Sequence, residues 1–141
     1  MPVGKWWGIF YREDMFGRLL ELPRIPGNSA DGVFFLPPPV LELAFDEGLW
    51  SEINDQTGLM FDLAEEEEID PYISKKIVKN IKHLAKKFEG SDSVISRVVG
   101  QSNGKDIVAS MVAEDFSKWL IELASFLESE ALKNNTVDAT F

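Results

Sequence analysis

DPYISKKIVKNIKHLAKKFEG, residues 70–90, is the stretch that decides the fold. Asp70 is a good N-cap, and Pro71 falls at the first helical position, where a missing N–H costs nothing. Ile73, Ile77, Ile81, Leu84 and Phe88 then lie within an arc of about 80° at 100° per residue. Gly90 is the stop signal. The opposite face carries Lys75, Lys76, Lys79, Lys82, Lys86 and Lys87. Acids precede the helix and lysines run to its end, as the macrodipole prefers. Such a helix buries one stripe only, so the flanking sequence must supply an apolar layer.

Upstream, the chain reads as β. Lys5 to Tyr11 is aromatic and β-branched, which suits a strand. Phe16 to Leu22 gives a second strand expectation, after the polar break Arg12-Glu13-Asp14. Pro23, Pro26, Gly27 and Asn28 punctuate a loop. Gly32 to Leu36 reads as a third strand. Pro37-Pro38-Pro39 suggests a polyproline II segment that ends the sheet. From Val40 the period changes: Phe45, Leu49 and Ile53 are spaced as on a helix, with Asp46 as its cap and Gly58 as its stop. Leu59 to Leu63 is a short apolar stretch with strand character. The run Glu65-Glu66-Glu67-Glu68 reads as a solvated acidic loop before the helix.

Downstream, Val94 to Val99 and Asp106 to Met111 flank Gln101-Ser102-Asn103-Gly104, and Asn-Gly between β-branched runs signals a hairpin. A helix beginning near Asp106 competes, because the stripe of the last helix extends back through Val112 and Val108. That last helix carries Phe116, Trp119, Leu120, Leu123, Phe126 and Leu127 on one side. The tail from Asn134 is expected to fray. The expected fold is α+β, a single domain over 1–141. A β-rich front packs against helices at about 46–57, 70–89 and 113–133, with 134–141 as a loose end.

Composition narrows the function. The chain has 141 residues, is 45% hydrophobic and 27% charged, and contains no cysteine. Disulfide and thiolate chemistry are therefore excluded. No apolar run approaches the roughly 18 residues of a membrane span, and the start lacks a signal-peptide pattern, so a cytoplasmic location is expected. Net charge is −10. That field opposes nucleic acid and anionic membranes, and favours a basic protein partner. The lysine-rich segment 71–88 is +6, which leaves −16 on the remainder. Lysine without arginine or interleaved aromatics is an ordinary solvated face more often than a nucleic-acid footprint.

Motifs for catalysis are missing. His83 is the only histidine and falls among the lysines, as a solvated surface residue does. No nucleophile elbow occurs. Gly104-Lys105 is followed by Asp106, where a phosphate loop needs a hydroxyl. The carboxylates Asp62, Glu65, Glu66, Glu67, Glu68 and Asp70 are hard-cation ligands by type, but they lack the alternation and central glycine of an EF-hand. No metal or cofactor is expected. The same acids form an anionic patch suited to a cationic partner. Trp6 and Trp7 are adjacent, so on a strand they point to opposite faces, and one of them offers a partner anchor. The expected partner-binding set is therefore Trp6, Trp7, Asp62, Glu65, Glu66, Glu67, Glu68 and Asp70, with no catalytic residue.

In layout the chain resembles the bacterial immunity proteins that neutralise polymorphic or contact-dependent toxins. The resemblance rests on small size, acidity and absent cysteine. It rests also on the segment Lys5-Trp6-Trp7-Gly8-Ile9-Phe10, the run Gly58-Leu59-Met60-Phe61-Asp62-Leu63-Ala64-Glu65-Glu66-Glu67, and the closing Phe116-Ser117-Lys118-Trp119-Leu120 helix. It carries over no functional residue. It implies tight one-to-one binding that blocks a toxin's active site or a surface essential to it, and the acidic charge suits a basic toxin domain. A second expectation is an adaptor or structural subunit that self-associates through exposed aromatics. A third is a metal enzyme built on the carboxylates.

Overall fold

The computed structural model describes residues 7–61 and 66–141. Along the chain run β1 (Gly8–Arg12), a 3-10 segment (Glu13–Glu21), β2 (Gly27–Ala30), β3 (Val33–Leu36), α1 (Pro38–Asp46) and α2 (Leu49–Thr57). Then come β4 (Glu66–Ile69), α3 (Pro71–Phe88), β5 (Val94–Ser102), β6 (Lys105–Val112), α4 (Ala113–Leu132) and β7 (Val137–Thr140). The architecture is α+β, as the sequence predicts. A five-stranded antiparallel sheet has the order β2-β3-β1-β7-β4, and β5 and β6 form a separate hairpin.

The helix at 70–90 forms as its pattern dictates. Asp70 caps it, its carboxylate accepting from the Ile73 N–H at 2.8 Å. Ile77, Ile81 and Leu84 bury their stripe against α4 and the inner face of the sheet, where Phe10, Phe34, Leu36, Val137 and Ala139 point. The Ser117 hydroxyl on α4 donates to the Ala85 carbonyl at 2.8 Å and ties the two long helices together.

The tail does not fray. Val137–Thr140 is an interior strand, paired with β1 on one side and β4 on the other. Its partners lie far away in sequence, so no local signal announces the pairing. Phe141 follows it into the core, its ring centroid 4.8 Å from Trp50 and 5.2 Å from Phe61.

Other expectations change, beginning with the loop read at 23–28, where Gly27 already opens β2. Pro38 and Pro39 open α1 instead of extending a polyproline segment. Their fixed φ suits a first helical turn, whose N–H groups need no partner. The helix expected at 46–57 is α2, which starts at Leu49, and an additional helix, α1, precedes it; Gly48, with a φ of +79°, takes the chain from α1 into α2. Asp46 therefore ends α1 and does not cap α2. Phe16–Leu22 is no strand: Glu13–Glu21 folds as the 3-10 segment and lays Met15 on the outer face of the sheet. Leu59–Phe61 is no strand either. The Asn54 side chain takes the bonds a strand partner would take, donating to the Phe61 carbonyl at 2.9 Å and accepting from its N–H at 2.7 Å. Leu63 lies outside the described residues.

The hairpin is real. Asn103 and Gly104 both have positive φ, 54° and 76°, as a type I′ turn requires. Residues 105–112 are strand, and the helix begins only at Ala113.

Candidate protein-binding face

The acidic run is not a loop where it is described. Glu66–Ile69 is the edge strand β4, in register with β7: Glu66 opposite Thr140, Glu67 opposite Ala139, Glu68 opposite Asp138. Alternation on a strand then sorts the glutamates. Glu66 and Glu68 share a face with Asp138, Thr140, Tyr11 and Ile9, the outer face of the sheet. Glu67 has the opposite parity, and its carboxylate accepts from the Met60 N–H at 2.7 Å.

A third element completes the charge. The 3-10 segment begins directly after β1 and brings Glu13 over the same face. Carboxylate oxygens of Glu13, Glu68 and Asp138 all lie within 4.8 Å of one another. Partial burial pushes the Asp138 carboxyl above its usual range, and the facing charges of Glu13, Glu68 and Glu66 push it the same way. Tyr11, one strand over, is also raised, chiefly by burial and further by Asp138 and Glu66, against a lowering hydrogen bond with Thr140.

Beside the carboxylates lies a cleft of about 360 Å³ with mainly apolar walls. Ile9 and Tyr11 form its floor, Phe16, Leu19 and Leu20 one wall, and Glu66 its acidic rim. The wall is not folded inward: Phe16 is 65% exposed and Leu20 98%. Arg24 lies across the Phe35 ring at 5.0 Å from its centroid. The face therefore presents clustered negative charge next to bare aromatic and aliphatic surface. Such an arrangement can seat a lysine or arginine head on the carboxylates while a neighbouring apolar side chain fills the cleft. Three converging carboxylates are also compatible with a hard cation.

The sequence-predicted residues divide accordingly. Glu66 and Glu68 stand at this site. Glu67 points away from it, and Asp70 is committed to capping α3. Trp7 packs edge-on to Phe35 at 6.3 Å between centroids and belongs to the same outer cluster. Trp6, Asp62 and Glu65 lie outside the described residues. Sequence reasoning missed Glu13, Asp138, Phe16 and Leu20. The period-two run Val137-Asp138-Ala139-Thr140 was the available signal for Asp138. Among the described residues, no helix is long and apolar enough to cross a membrane. Comparison with family models, curated proteins and solved structures yields no match to this chain.

Proposed function

We propose that this chain is a non-catalytic binding protein of the cytoplasm that holds a basic protein partner on the outer face of its sheet. In keeping with the layout it shares with immunity proteins, the partner is a toxin domain neutralised one-to-one. The observation that carries this reading is the convergence of Glu13, Glu68 and Asp138 beside a cleft walled by exposed Phe16 and Leu20. Like charges gathered at some cost to the fold, next to uncovered apolar surface, suit a cationic and partly apolar epitope.

The test uses the product of the gene immediately upstream as the probe. Calorimetry is expected to give one-to-one binding. Stopped-flow association is expected to slow about tenfold between roughly 0.05 M and 0.3 M salt, as charge steering requires. Glu66→Gln, Glu68→Gln and Asp138→Asn together are expected to slow association further and flatten the salt dependence. A complex whose affinity and rate ignore all three substitutions would place the interface elsewhere.

One observation favours a second reading, a self-associating subunit. The outer face of the hairpin sets Val94 opposite Val112, Ser96 opposite Ser110 and Val98 opposite Val108, with a charge, Asp106, only toward the turn. Val94, Val98 and Val108 are exposed. Sedimentation at several concentrations separates the readings, because a strictly monomeric chain removes the second.

A further inference from the structure

The two long helices expose surfaces of opposite charge side by side. Ser117 on α4 meets Ala85 on α3, while Ala131 and Leu132 lie beside Lys75 and Val78, so the helices run antiparallel. Pro71–Phe88 holds six lysines and no acid, whereas Ala113–Leu132 holds five acids and one lysine. Among the described residues Lys75, Lys79 and Lys86 stand in no ion pair, and only Lys82 reaches across to α4, meeting Glu128 at 2.9 Å. Lys118, the single cation of α4, is held by Glu114 at 3.6 Å.

Spacing turns each surface into a seam. On α3, Tyr72, Lys75, Lys79, Lys82 and Lys86 recur every three or four residues, and all are exposed. On α4, Lys118, Ile121, Ser125, Glu128 and Leu132 do the same, with Asp115 and Glu122 exposed beside them. A three-four repeat keeps its side chains in one line along a helix, as helix-on-helix packing requires. Between the seams lies a cleft of about 410 Å³ that includes Val78 and Ala131, and Leu132 at its edge is 81% exposed.

We propose that a second copy of this chain covers this surface, in a symmetric dimer whose two-fold axis runs along the helices. That axis lays α3 of each copy on α4 of the other, so the lysine seam meets the acidic one twice. An axis across the helices lays α3 on α3 and sets lysine against lysine. Rotation about the helix direction keeps every residue at its own height. Ser117 is level with Ala85 within one chain, so Lys79 and Lys82 come level with Glu122 and Ser125 of the second copy, and Lys86 with Asp115. Ile121 and Leu132 are taken out of water by the same contact.

The size is sufficient for a weak, specific dimer. Two adjacent helices of this length present a face of ~27 by ~20 Å. Over both copies that is ~1,100 Å², just above the ~1,000 Å² a specific interface needs. The net charge of −10 on each copy opposes encounter. Beyond about 8 Å that repulsion is screened at physiological salt, while ion pairs in contact persist. The dimer uses neither the outer face of the sheet nor the valines of the hairpin, so it goes beyond both readings above and stands without either.

The experiment is sedimentation of the full chain over a range of concentrations in about 0.15 M salt. The expected result is a monomer–dimer equilibrium with a Kd on the order of ten micromolar. Two variants reverse one seam each through exposed positions: Lys79→Glu with Lys86→Glu on α3, and Glu122→Lys with Ser125→Lys on α4. Each alone is expected to weaken dimerisation about a hundredfold, with thermal melts close to wild type. An equimolar mixture of the two is expected to restore the dimer, because the reversed seams meet each other and so do the native ones. Ile121→Ser, which changes no charge, is expected to weaken the dimer about tenfold. A wild-type chain that stays monomeric at about fifty times that Kd overturns the proposal. So does a mixture that stays monomeric although both variants melt as wild type. A dimer untouched by either reversal, and lost in Val98→Asp with Val108→Asp, belongs to the hairpin and overturns it as well.

Discussion

Glu68 stands directly opposite Asp138 across the β4–β7 pair, and both side chains emerge on the same face of the sheet. Like charges placed opposite one another work against strand pairing. Here Glu13 adds a third carboxylate within 4.8 Å. No cation among the described residues pairs with Glu68 or Asp138; the nearby arginine, Arg12, is held by Asp14 at 2.6 Å and Asp31 at 3.3 Å. A local rule broken this openly marks a surface shaped for something other than stability.

The first prediction follows from that repulsion. Asp138→Asn removes one charge from the cluster and is expected to stabilise the chain by about 0.5–1 kcal/mol near neutral pH. The pH dependence has a definite sign. The Asp138 carboxyl is raised in the folded state, so its ionised form opposes folding at high pH. As pH falls through the raised value toward the ordinary 3.8, the folded state takes up the proton first and the penalty disappears. The stability gap between wild type and Asp138→Asn should therefore close as pH approaches 3.8. Urea melts of both proteins across that window check it. A gap that widens on acidification would contradict the assigned cause.

The second prediction concerns the last residue. Phe141 is 2% exposed and meets Phe10, Phe45, Trp50 and Phe61 within 6 Å between ring centroids. Phe141→Ala is expected to cost about 3–5 kcal/mol. Removing residues 137–141 takes out an interior strand and is expected to abolish cooperative unfolding, read by denaturant titration with tryptophan fluorescence.

That tail also shows where sequence reading stops. The α3 boundaries, the Asn103-Gly104 turn and the extent of α4 were legible because each is encoded within a few neighbouring residues: a cap, a turn pair, a stripe. Strand β4 was hidden because three of its four residues are glutamates, a composition that strands ordinarily avoid. It exists because β7 offers a pairing edge and because alternation lets Glu66 and Glu68 stay at the surface while Ile69 enters the core. The candidate face was half legible for the same reason. Glu66 and Glu68 were named from the acidic run. Glu13 and Asp138 join them only through pairings between the two ends of the chain.

The third prediction isolates one helix–helix contact. The Glu89 N–H turns to the Lys86 carbonyl as α3 closes, and the Ala85 carbonyl takes the Ser117 hydroxyl instead. Ser117→Ala leaves that buried acceptor unpaired and is expected to cost about 1–2 kcal/mol. Ser117→Thr keeps the donor and separates loss of the bond from a change of volume. Chemical denaturation of the two variants side by side gives the comparison, with the alanine variant expected to be the less stable.

The fourth prediction separates binding from folding on the outer face. Phe16 and Leu20 are bulky, largely exposed and contribute wall to the cleft, while Met15 beside them is buried and anchors the segment. A side chain already in water has little transfer energy to lose. Phe16→Ser and Leu20→Ser are therefore expected to change stability by less than about 0.5 kcal/mol. Met15→Ala is expected to cost about 2 kcal/mol or more. If the cleft is an anchor site, the two exposed substitutions should each weaken partner binding by about tenfold or more, mainly through faster dissociation, because central apolar contacts govern residence time more than encounter. The carboxylate substitutions should act on the association rate instead. Surface plasmon resonance on Phe16→Ser, Leu20→Ser and the combined carboxylate variant resolves the two effects. Equal and small changes in both rate constants for Phe16→Ser and Leu20→Ser would leave the apolar wall without a role in recognition, and the exposed rings would then be ordinary surface.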